Sequence, residues 1–234
     1  MRLIIFSILL IFNTSFKQTS TVLNYALLEN SIEIEKQGFN KLNSSLHYEL
    51  NVSYPKVMYT NKIDVEHKIN LDIQGIMAFA ISDFLSKTRS VKIDKGVLGL
   101  SYMNLNYNVH FNNNGILSLC FDKETFYNGL DGVRKLSVTY NYDVNDKRKI
   151  QLKDLFKTGV DYYSSLNKII KEKLGNGAKV SSDAVNTFCI TKEGLYFPLD
   201  IKKCRGKKCP DFIKINWSEL QEILSPYISQ KKDI

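Results

Sequence analysis

The four cysteines, Cys120, Cys189, Cys204 and Cys209, are the residues of this chain with the widest range of possible chemistry. An even number of cysteines in an exported chain indicates disulfides, and four cysteines allow three connectivities. Cys204 and Cys209 could close a short loop around a Gly turn. Cys120 and Cys189 lie in strand-like segments, and they could bridge neighbouring strands if their Cα atoms lie within about 7 Å of each other.

A zinc site is the competing interpretation of the cysteines, because a Cys-x4-Cys spacing can supply two thiolates. Cys120 and Cys189, however, do not form a second close pair in the sequence. An exported chain also meets an oxidising compartment. We therefore favour two disulfides over zinc, and we assign no metal ligand and no cofactor.

A basic run surrounds the second cysteine pair, and its five cations are Lys202, Lys203, Arg205, Lys207 and Lys208. If a disulfide between Cys204 and Cys209 stiffens this segment, its positive charges would form an anion-binding site at the tip of a loop. The more ordinary interpretation of a charge run is a solvated loop, and both interpretations stay open.

The histidines and acidic groups do not form a recognisable catalytic motif. His110 lies on the polar face of a predicted strand, and we interpret it as a surface residue. Asp64 to His67 mixes carboxylates with an imidazole, which can bind a metal or move a proton. The same segment also suits the solvated approach to a helix, and we favour that interpretation. A catalytic cysteine would need a histidine partner, and none is near in the sequence. The chain contains neither a Gly-rich phosphate loop nor a Gly-x-Ser-x-Gly elbow, so we assign no catalytic residue and expect no enzymatic activity.

The N-terminus predicts export. A short positive start is followed by an apolar run from Leu3 to Phe12, which is far below the about 20 residues that cross a bilayer. This layout is typical of a secretory signal peptide. We predict a signal peptide at 1–20 and a polar tether at 21–45, with no later transmembrane span. The expected location is the bacterial cell envelope, either periplasmic or secreted.

The net charge of +8 suits association with anionic envelope surfaces, and equally suits solubility alone. The aromatic residues follow strand patterns and do not form a basic platform, so nucleic acid is a poor candidate partner.

Periodicity indicates an α+β fold, with a mostly antiparallel β-sheet packed by two or three α-helices. Apolar residues recur at helical spacing from Ile69 to Leu85 and again from Leu152 to Leu174. A final helix should begin after Asn216, with Glu219 completing a capping box and Pro226 ending the helix. We divide the chain into an N-terminal α+β half at 46–132 and a C-terminal α+β half at 133–230, which are able to form one compact unit.

The clearest local element is a hairpin between residues 103 and 121, whose register depends on its turn. A two-residue turn at Asn114-Gly115 would pair Phe111 with Ser118. A three-residue turn would pair Phe111 with Leu117, Val109 with Leu119 and Tyr107 with Phe121, and only this register keeps one face apolar. We therefore predict the three-residue turn. It places Cys120 on the opposite face, which we expect a helix to cover in part.

Three short motifs resemble a bacterial extracytoplasmic domain of unknown function. In that family a strand ends in a Tyr-x-Gly-Gly-Ala-His-Gly turn, and a Tyr-Asn-(Phe/Tyr)-Asp strand leads to a Leu-x-Asp-Leu-Phe helix start. The corresponding segments here are Tyr127–Gly132, Tyr140–Asp143 and Leu152–Phe156. The turn keeps Gly129 and Gly132, but Asp131 stands where the family has its histidine. We interpret the two glycines as residues that permit a tight turn with positive φ.

This family forms the ectodomain of a lysozyme-sensing anti-sigma factor and the N-terminal part of a peptidoglycan deacetylase. The deacetylase carries its catalytic module elsewhere in its chain, so the resemblance does not imply that activity here. It implies a binding module for a cell-wall or envelope polymer, or for a wall-degrading enzyme such as lysozyme. Animal lysozymes are basic, as this chain is, so charge repulsion favours an anionic polymer or glycan. A structural envelope protein and an unrecognised wall-modifying hydrolase are the alternatives.

Overall fold

A six-stranded sheet, the main sheet, organises residues 33–149. Its strands in spatial order are β1 (Glu33–Asn43), β2 (Tyr48–Met58), β3 (Ser101–Asn113), β4 (Ile116–Phe126), β5 (Arg134–Asp143) and β6 (Arg148–Lys149). All neighbouring strands are antiparallel except β2 and β3, which run parallel because helix α1 (Ile63–Ser90) crosses between them. The predicted α+β class with a mostly antiparallel sheet is confirmed.

A second, three-stranded sheet, the small sheet, follows in the C-terminal part. Its strands are β7 (Cys189–Ile190), β8 (Gly194–Pro198) and β9 (Phe212–Asn216), and its helices are α2 (Tyr162–Leu174), α3 (Trp217–Leu220) and α4 (Pro226–Lys231). A 3-10 turn at Leu152–Leu155 precedes α2, and Gly159, with a φ of +82°, separates the two. Pro226 was expected to end a helix, but it begins α4, since proline suits the first helical position.

This computed structural model describes residues 32–58, 62–91, 99–130, 132–174, 185–198 and 210–231. Three predictions fall outside those ranges: the signal peptide, the turn residue Asp131, and the basic run with Cys204 and Cys209. Within the described ranges, none of the helices is both long and apolar enough to cross a membrane.

The two faces of the main sheet border two different cores. On one face, α1 packs its stripe of Ile69, Ile73, Met77 and Phe84 against the sheet. On the other face, Ile116 joins the second core, which the small sheet, α2 and the short C-terminal helices enclose. The second face of the β3–β4 hairpin is partly covered, as predicted, but the element that covers it is strand β7 and not a helix.

The hairpin combines both of the registers that its sequence allows. Val109 pairs with Leu119, and Tyr107 pairs with Phe121, as predicted. The prediction for Phe111 is wrong, because Phe111 pairs with Ser118 and the chain turns at Asn114-Gly115 with φ of +51° and +75°. A β-bulge between Val109 and Phe111 reconciles the two registers, since it adds one residue, His110, to β3.

Strand β1 occupies residues that we expected to form a tether. It pairs with β2 along its whole length, from Glu33 opposite Met58 to Asn43 opposite Tyr48. The alternation is weak because β1 is an edge strand whose side chains are exposed or half-buried. Strand β5 pairs with β4, so residues on both sides of position 132 share one sheet.

The end of β5 anchors the C-terminal helix. Asp143 is fully buried and accepts hydrogen bonds from the Tyr227 hydroxyl at 2.6 Å, from the Lys231 ammonium, and from the backbone N–H of Asn145 and Asp146. Burial alone would raise the pKa of Asp143. The hydrogen bonds from Lys231, Tyr227 and Asp146 outweigh that effect and lower the pKa.

We predict that Asp143→Asn lowers the free energy of unfolding by about 2–3 kcal/mol at neutral pH, because Lys231 loses its charged partner. A lowered pKa in the folded state means that the stabilisation is complete above the unfolded pKa of about 3.9, and is lost as the pH falls below that value. Urea unfolding between about pH 7 and pH 3 should therefore show the difference between the two proteins shrinking below about pH 4.

Asp64→Asn is the matched control, because Asp64 pairs with Lys147 at an exposed site. It removes the same charge and should leave the unfolding free energy within about 0.5 kcal/mol of the unmodified chain. Equal effects of the two substitutions would contradict an anchoring role for Asp143.

Candidate functional site

A polar bridge holds the small sheet to the main sheet. The Ser118 hydroxyl on β4 donates to Asn141 Oδ1 on β5 at 2.6 Å, and it accepts from the Ile190 N–H at 2.8 Å. The Asn141 Nδ2 donates to the Phe188 carbonyl at 2.8 Å. Ser118 and Asn141 are both buried, so these bonds replace the contacts with water that burial removes. The bridge therefore fixes β7 against the start of β4 and the end of β5.

Three potential ligand groups converge beside this bridge, and we refer to them as the thiol cluster. His110 from β3, Cys120 from β4 and Cys189 from β7 each place one ligand atom within 4.8 Å of the other two. Both cysteines are buried and carry free thiols, while His110 is half-buried. The structure thus brings together the cysteine pair that we expected to bridge strands, and it adds a histidine that sequence reasoning had set aside.

Strand alternation brings His110 to the cluster, and the β-bulge redirects its neighbour Phe111. Cys120 lies opposite Asn108, so both side chains project from the same face of the main sheet. His110, two residues after Asn108, lies on that face as well, and its ring lies 4.5 Å from that of Tyr196 on the small sheet. The extra residue in β3 turns Phe111 to the same face, where it packs into the second core. Bulges commonly redirect a side chain in this way beside functional sites.

The two thiols have different acidities. Hydrogen bonding with Cys189, and more weakly with His110, lowers the pKa of Cys120 to about 7 despite its burial. Burial raises the pKa of Cys189, whose sulfur lies 3.5 Å from the Leu119 carbonyl oxygen. Cys120 is therefore the member of the pair that ionises first.

Two thiols and an imidazole at this spacing could form a disulfide, hold a thiophilic cation or act as a nucleophile with its base. Nucleophilic attack on a large substrate is the least favoured of the three, because Cys120 is only 1% exposed. The remaining choices are a covalent bond between the sulfurs and a shared cation.

An open polar face extends from the thiol cluster along β3, β4 and β5. Asn106, Asn108 and Asp122 are exposed there. The Asn108 amide donates to Asp122 Oδ2 at 3.0 Å, and the Ser137 hydroxyl donates to Asp122 Oδ1 at 2.7 Å. Farther from the small sheet, Asn104 accepts a hydrogen bond from the Asn51 amide at 3.0 Å. These bonds hold an array of amide, hydroxyl and carboxylate groups in fixed positions on the sheet.

An aromatic wall borders this face. The Tyr196 ring on β8 stacks on Phe212 of β9, with 4.9 Å between centroids, and its other neighbour is His110. Phe212 is 46% exposed, although it is a large apolar side chain. Burial, followed by the nearby Cys120 and Asp122, raises the pKa of Tyr196 to about 12, so the phenol stays neutral. The wall adjoins the polar face at His110, and we refer to this junction, which is apolar on one side and polar on the other, as the corner.

The other residues selected from the sequence lie elsewhere. Gly129 and Gly132 have φ of +90° and +76°, which is the turn geometry that favours glycine. This turn follows Tyr127, whose buried ring packs 5.5 Å from Phe84 of α1, on the opposite face from the thiol cluster. The basic run lies in the chain between β8 and β9, outside the described residues, and these two strands pair at Pro198 and Phe212.

Two solved structures are similar to this chain in fold. A member of the DUF3298 family from Bacteroides fragilis NCTC 9343 has a TM-score of 0.58 and 12% sequence identity, over 87% of this chain and 98% of that chain. A DUF3298 family protein from Pseudomonas aeruginosa PAO1 has a TM-score of 0.54 and 15% identity, over 84% and 95%. No protein-family model and no curated protein matches the chain.

At these identities, the likeness shows a shared fold, that of a bacterial domain of unknown function. Neither structure is described as an anti-sigma factor or a deacetylase, so the resemblance to those two proteins remains a prediction.

We predict that Asn141→Ala lowers the free energy of unfolding by about 2–3 kcal/mol, because the Phe188 carbonyl loses its donor and the Ser118 hydroxyl loses its acceptor. Loosening of the small sheet should appear as faster hydrogen exchange at the Ile190 amide. Urea unfolding and hydrogen-exchange mass spectrometry measure the two effects.

Thr139→Ala serves as the control, since Thr139 lies on the same face of β5 but is only half-buried. It should change the unfolding free energy by less than about 0.5 kcal/mol and leave exchange at Ile190 unaltered. If Asn141→Ala behaves like Thr139→Ala, the polar bridge does not hold the small sheet.

Proposed function

We propose that this chain is an exported, non-enzymatic module of the bacterial cell envelope that binds peptidoglycan or a closely related wall glycan. The observation that carries the proposal is the corner between the open polar face and the aromatic wall. The signal-like N-terminus and the motif resemblance support export and an envelope role.

The corner matches the chemistry of a sugar chain. A pyranose ring presents C–H groups on its faces, which pack on aromatic rings such as those of Tyr196 and Phe212. Its hydroxyl groups need both donors and acceptors, and an asparagine amide supplies both. Asp122 adds a carboxylate that is already oriented by Asn108 and Ser137. The polar groups would fix the orientation of the glycan, while the rings supply contact area.

The distribution of charge supports a wall polymer that carries carboxylates. Residues 32–143 contain 12 Lys and Arg and 12 Asp and Glu, whereas residues 144–234 contain 18 and 11. The positive excess thus lies in the part of the chain that contains the small sheet and the basic run. Peptidoglycan combines neutral sugars with peptide carboxylates, so one ligand would use both the corner and the cations.

A lysozyme-type protein is the second candidate partner. Asp122 and Glu124 are acidic groups that the polar face presents to a basic protein. The net charge of +8 opposes long-range attraction to a basic protein. We therefore rank lysozyme second to the glycan as a candidate partner.

We predict that Phe212→Ser weakens binding to purified, insoluble peptidoglycan roughly five- to tenfold, because it removes about 1 kcal/mol of stacking. Co-sedimentation of the chain without residues 1–20 measures the dissociation constant. Phe79→Ser is the matched control, since Phe79 is 72% exposed on α1, behind the opposite face of the main sheet.

Binding should be saturable, and the Phe79→Ser variant should bind as the unmodified chain does. Equal binding by both variants would remove the aromatic wall from the proposal. Absence of binding to peptidoglycan at physiological salt would overturn it, and binding to lysozyme alone in the same assay would favour the second candidate.

The basic run gives a separate prediction. Changing Lys202, Lys203, Arg205, Lys207 and Lys208 to Ser should weaken binding and reduce its dependence on salt, because dissolved ions screen the attraction between these cations and an anionic polymer. Titration of binding against ionic strength distinguishes this effect from loss of stacking, which salt changes little. A variant with unchanged affinity and unchanged salt dependence would exclude the basic run as a contact.

A further inference from the structure

The glycan proposal leaves the two thiols of the cluster without a role. We propose that His110, Cys120 and Cys189 bind one thiophilic divalent cation of the zinc class, independently of what the corner recognises. The three ligands come from β3, β4 and β7, so the cation would join both strands of the hairpin to the small sheet.

The ligand set and its geometry fit such an ion. Thiolate and imidazole are the groups that zinc prefers, and sites with three protein ligands keep a fourth position for water or another ligand. Tetrahedral bonds of about 2.3 Å to sulfur and about 2.0 Å to nitrogen place ligand atoms about 3.5–3.8 Å apart. The cluster already has its atoms within 4.8 Å of one another, so side-chain shifts of about 1 Å are sufficient.

The histidine distinguishes a cation site from a disulfide. A disulfide needs only the two sulfurs, at about 2.05 Å, and gives no role to a third group. Here the imidazole of His110 lies within 4.8 Å of both sulfurs. The two thiols are also shielded from bulk solvent, since Cys120 and Cys189 are 1% and 0% exposed. A divalent cation would compensate two buried thiolates.

The surroundings would hold the ligands in place. The Ser118–Asn141 bridge fixes the backbone at Ile190, directly after Cys189. The Tyr196 ring covers one side of His110, and Asp122 Oδ1 lies 3.8 Å from the Cys120 sulfur. His110 is half-buried, so the open side of the site faces the corner.

Cobalt(II) is the probe for this site, because its spectrum reports ligand type and geometry. The titration uses the chain with Cys204→Ser and Cys209→Ser, which removes the other two thiols, under anaerobic conditions with a phosphine reductant. We expect one equivalent of Co²⁺ per chain, with a thiolate-to-cobalt charge-transfer band and the intense visible bands of tetrahedral cobalt. Zn²⁺ should displace the cobalt and raise the thermal unfolding temperature, and a chelator should reverse that rise.

Variants in this background locate the ligands. Cys120→Ser and Cys189→Ser should each lose stoichiometric uptake and the rise in unfolding temperature. His110→Gln should keep the charge-transfer band but bind at least tenfold more weakly. His67→Gln is the matched control, because His67 is exposed on α1, and it should bind as the background does. Circular dichroism confirms that each variant is folded before titration.

Three results would overturn the proposal. The first is absence of stoichiometric uptake by the reduced, folded background protein. The second is unchanged uptake in folded Cys120→Ser or Cys189→Ser, which would place the cation elsewhere. The third is loss of both thiols to a disulfide on exposure to air at the same rate with and without saturating Zn²⁺, which would identify the pair as a covalent bridge.

Discussion

The structure depends on the last four residues of β5, whose side chains alternate between the two faces of the main sheet and hold the elements that pack there. Tyr140 and Tyr142 point into the core beneath α1, where the Tyr140 hydroxyl also reaches Asp72 at 3.2 Å. Asn141 donates a hydrogen bond to the Phe188 carbonyl in the polar bridge, and Asp143 accepts hydrogen bonds from Tyr227 and Lys231 of α4. Because side chains alternate across a strand, one short segment anchors layers on both sides. The Tyr-Asn-Tyr-Asp motif is thus explained by packing and does not need a catalytic role.

The position of the small sheet follows from that anchoring, and the candidate site follows from the small sheet. Ile190 and Phe188 are held by Ser118 and Asn141, so Cys189 is placed beside Cys120. Strand β8 pairs with β7, which puts Tyr196 against His110. The aromatic wall and the thiol cluster therefore depend on the same contacts between the two sheets, although their side chains suit different chemistry.

The sequence predicted the elements whose signals are local. The helical stripe from Ile69 to Leu85 lies inside the longer α1, and the alternation around Val109 and Leu119 identified the hairpin. The even number of cysteines was the one long-range signal, and it indicated that Cys120 and Cys189 could lie close together. Nothing else in the sequence shows that β7 covers β4. Strand β1 was missed since an edge strand with exposed side chains has little alternation to detect. His110 was interpreted as a surface residue because it lies on the polar face of a predicted strand, and the sequence does not show that the small sheet contacts that face.

The bulge in the hairpin has its explanation in the second core. A regular ladder with a three-residue turn would have paired Phe111 with Leu117 on the apolar face. The chain instead has the favoured Asn-Gly turn, accepts a local interruption of the ladder, and turns Phe111 into the second core. Because Val109 stays opposite Leu119, the shift that turns Phe111 has to fall at the single residue between them, which is His110. Alternation from Asn108 places His110 on the face of Cys120 with or without the bulge. What core packing does not require is the type of residue at this position: an imidazole within 4.8 Å of two buried thiols supplies the third ligand that a cation site uses and a disulfide does not.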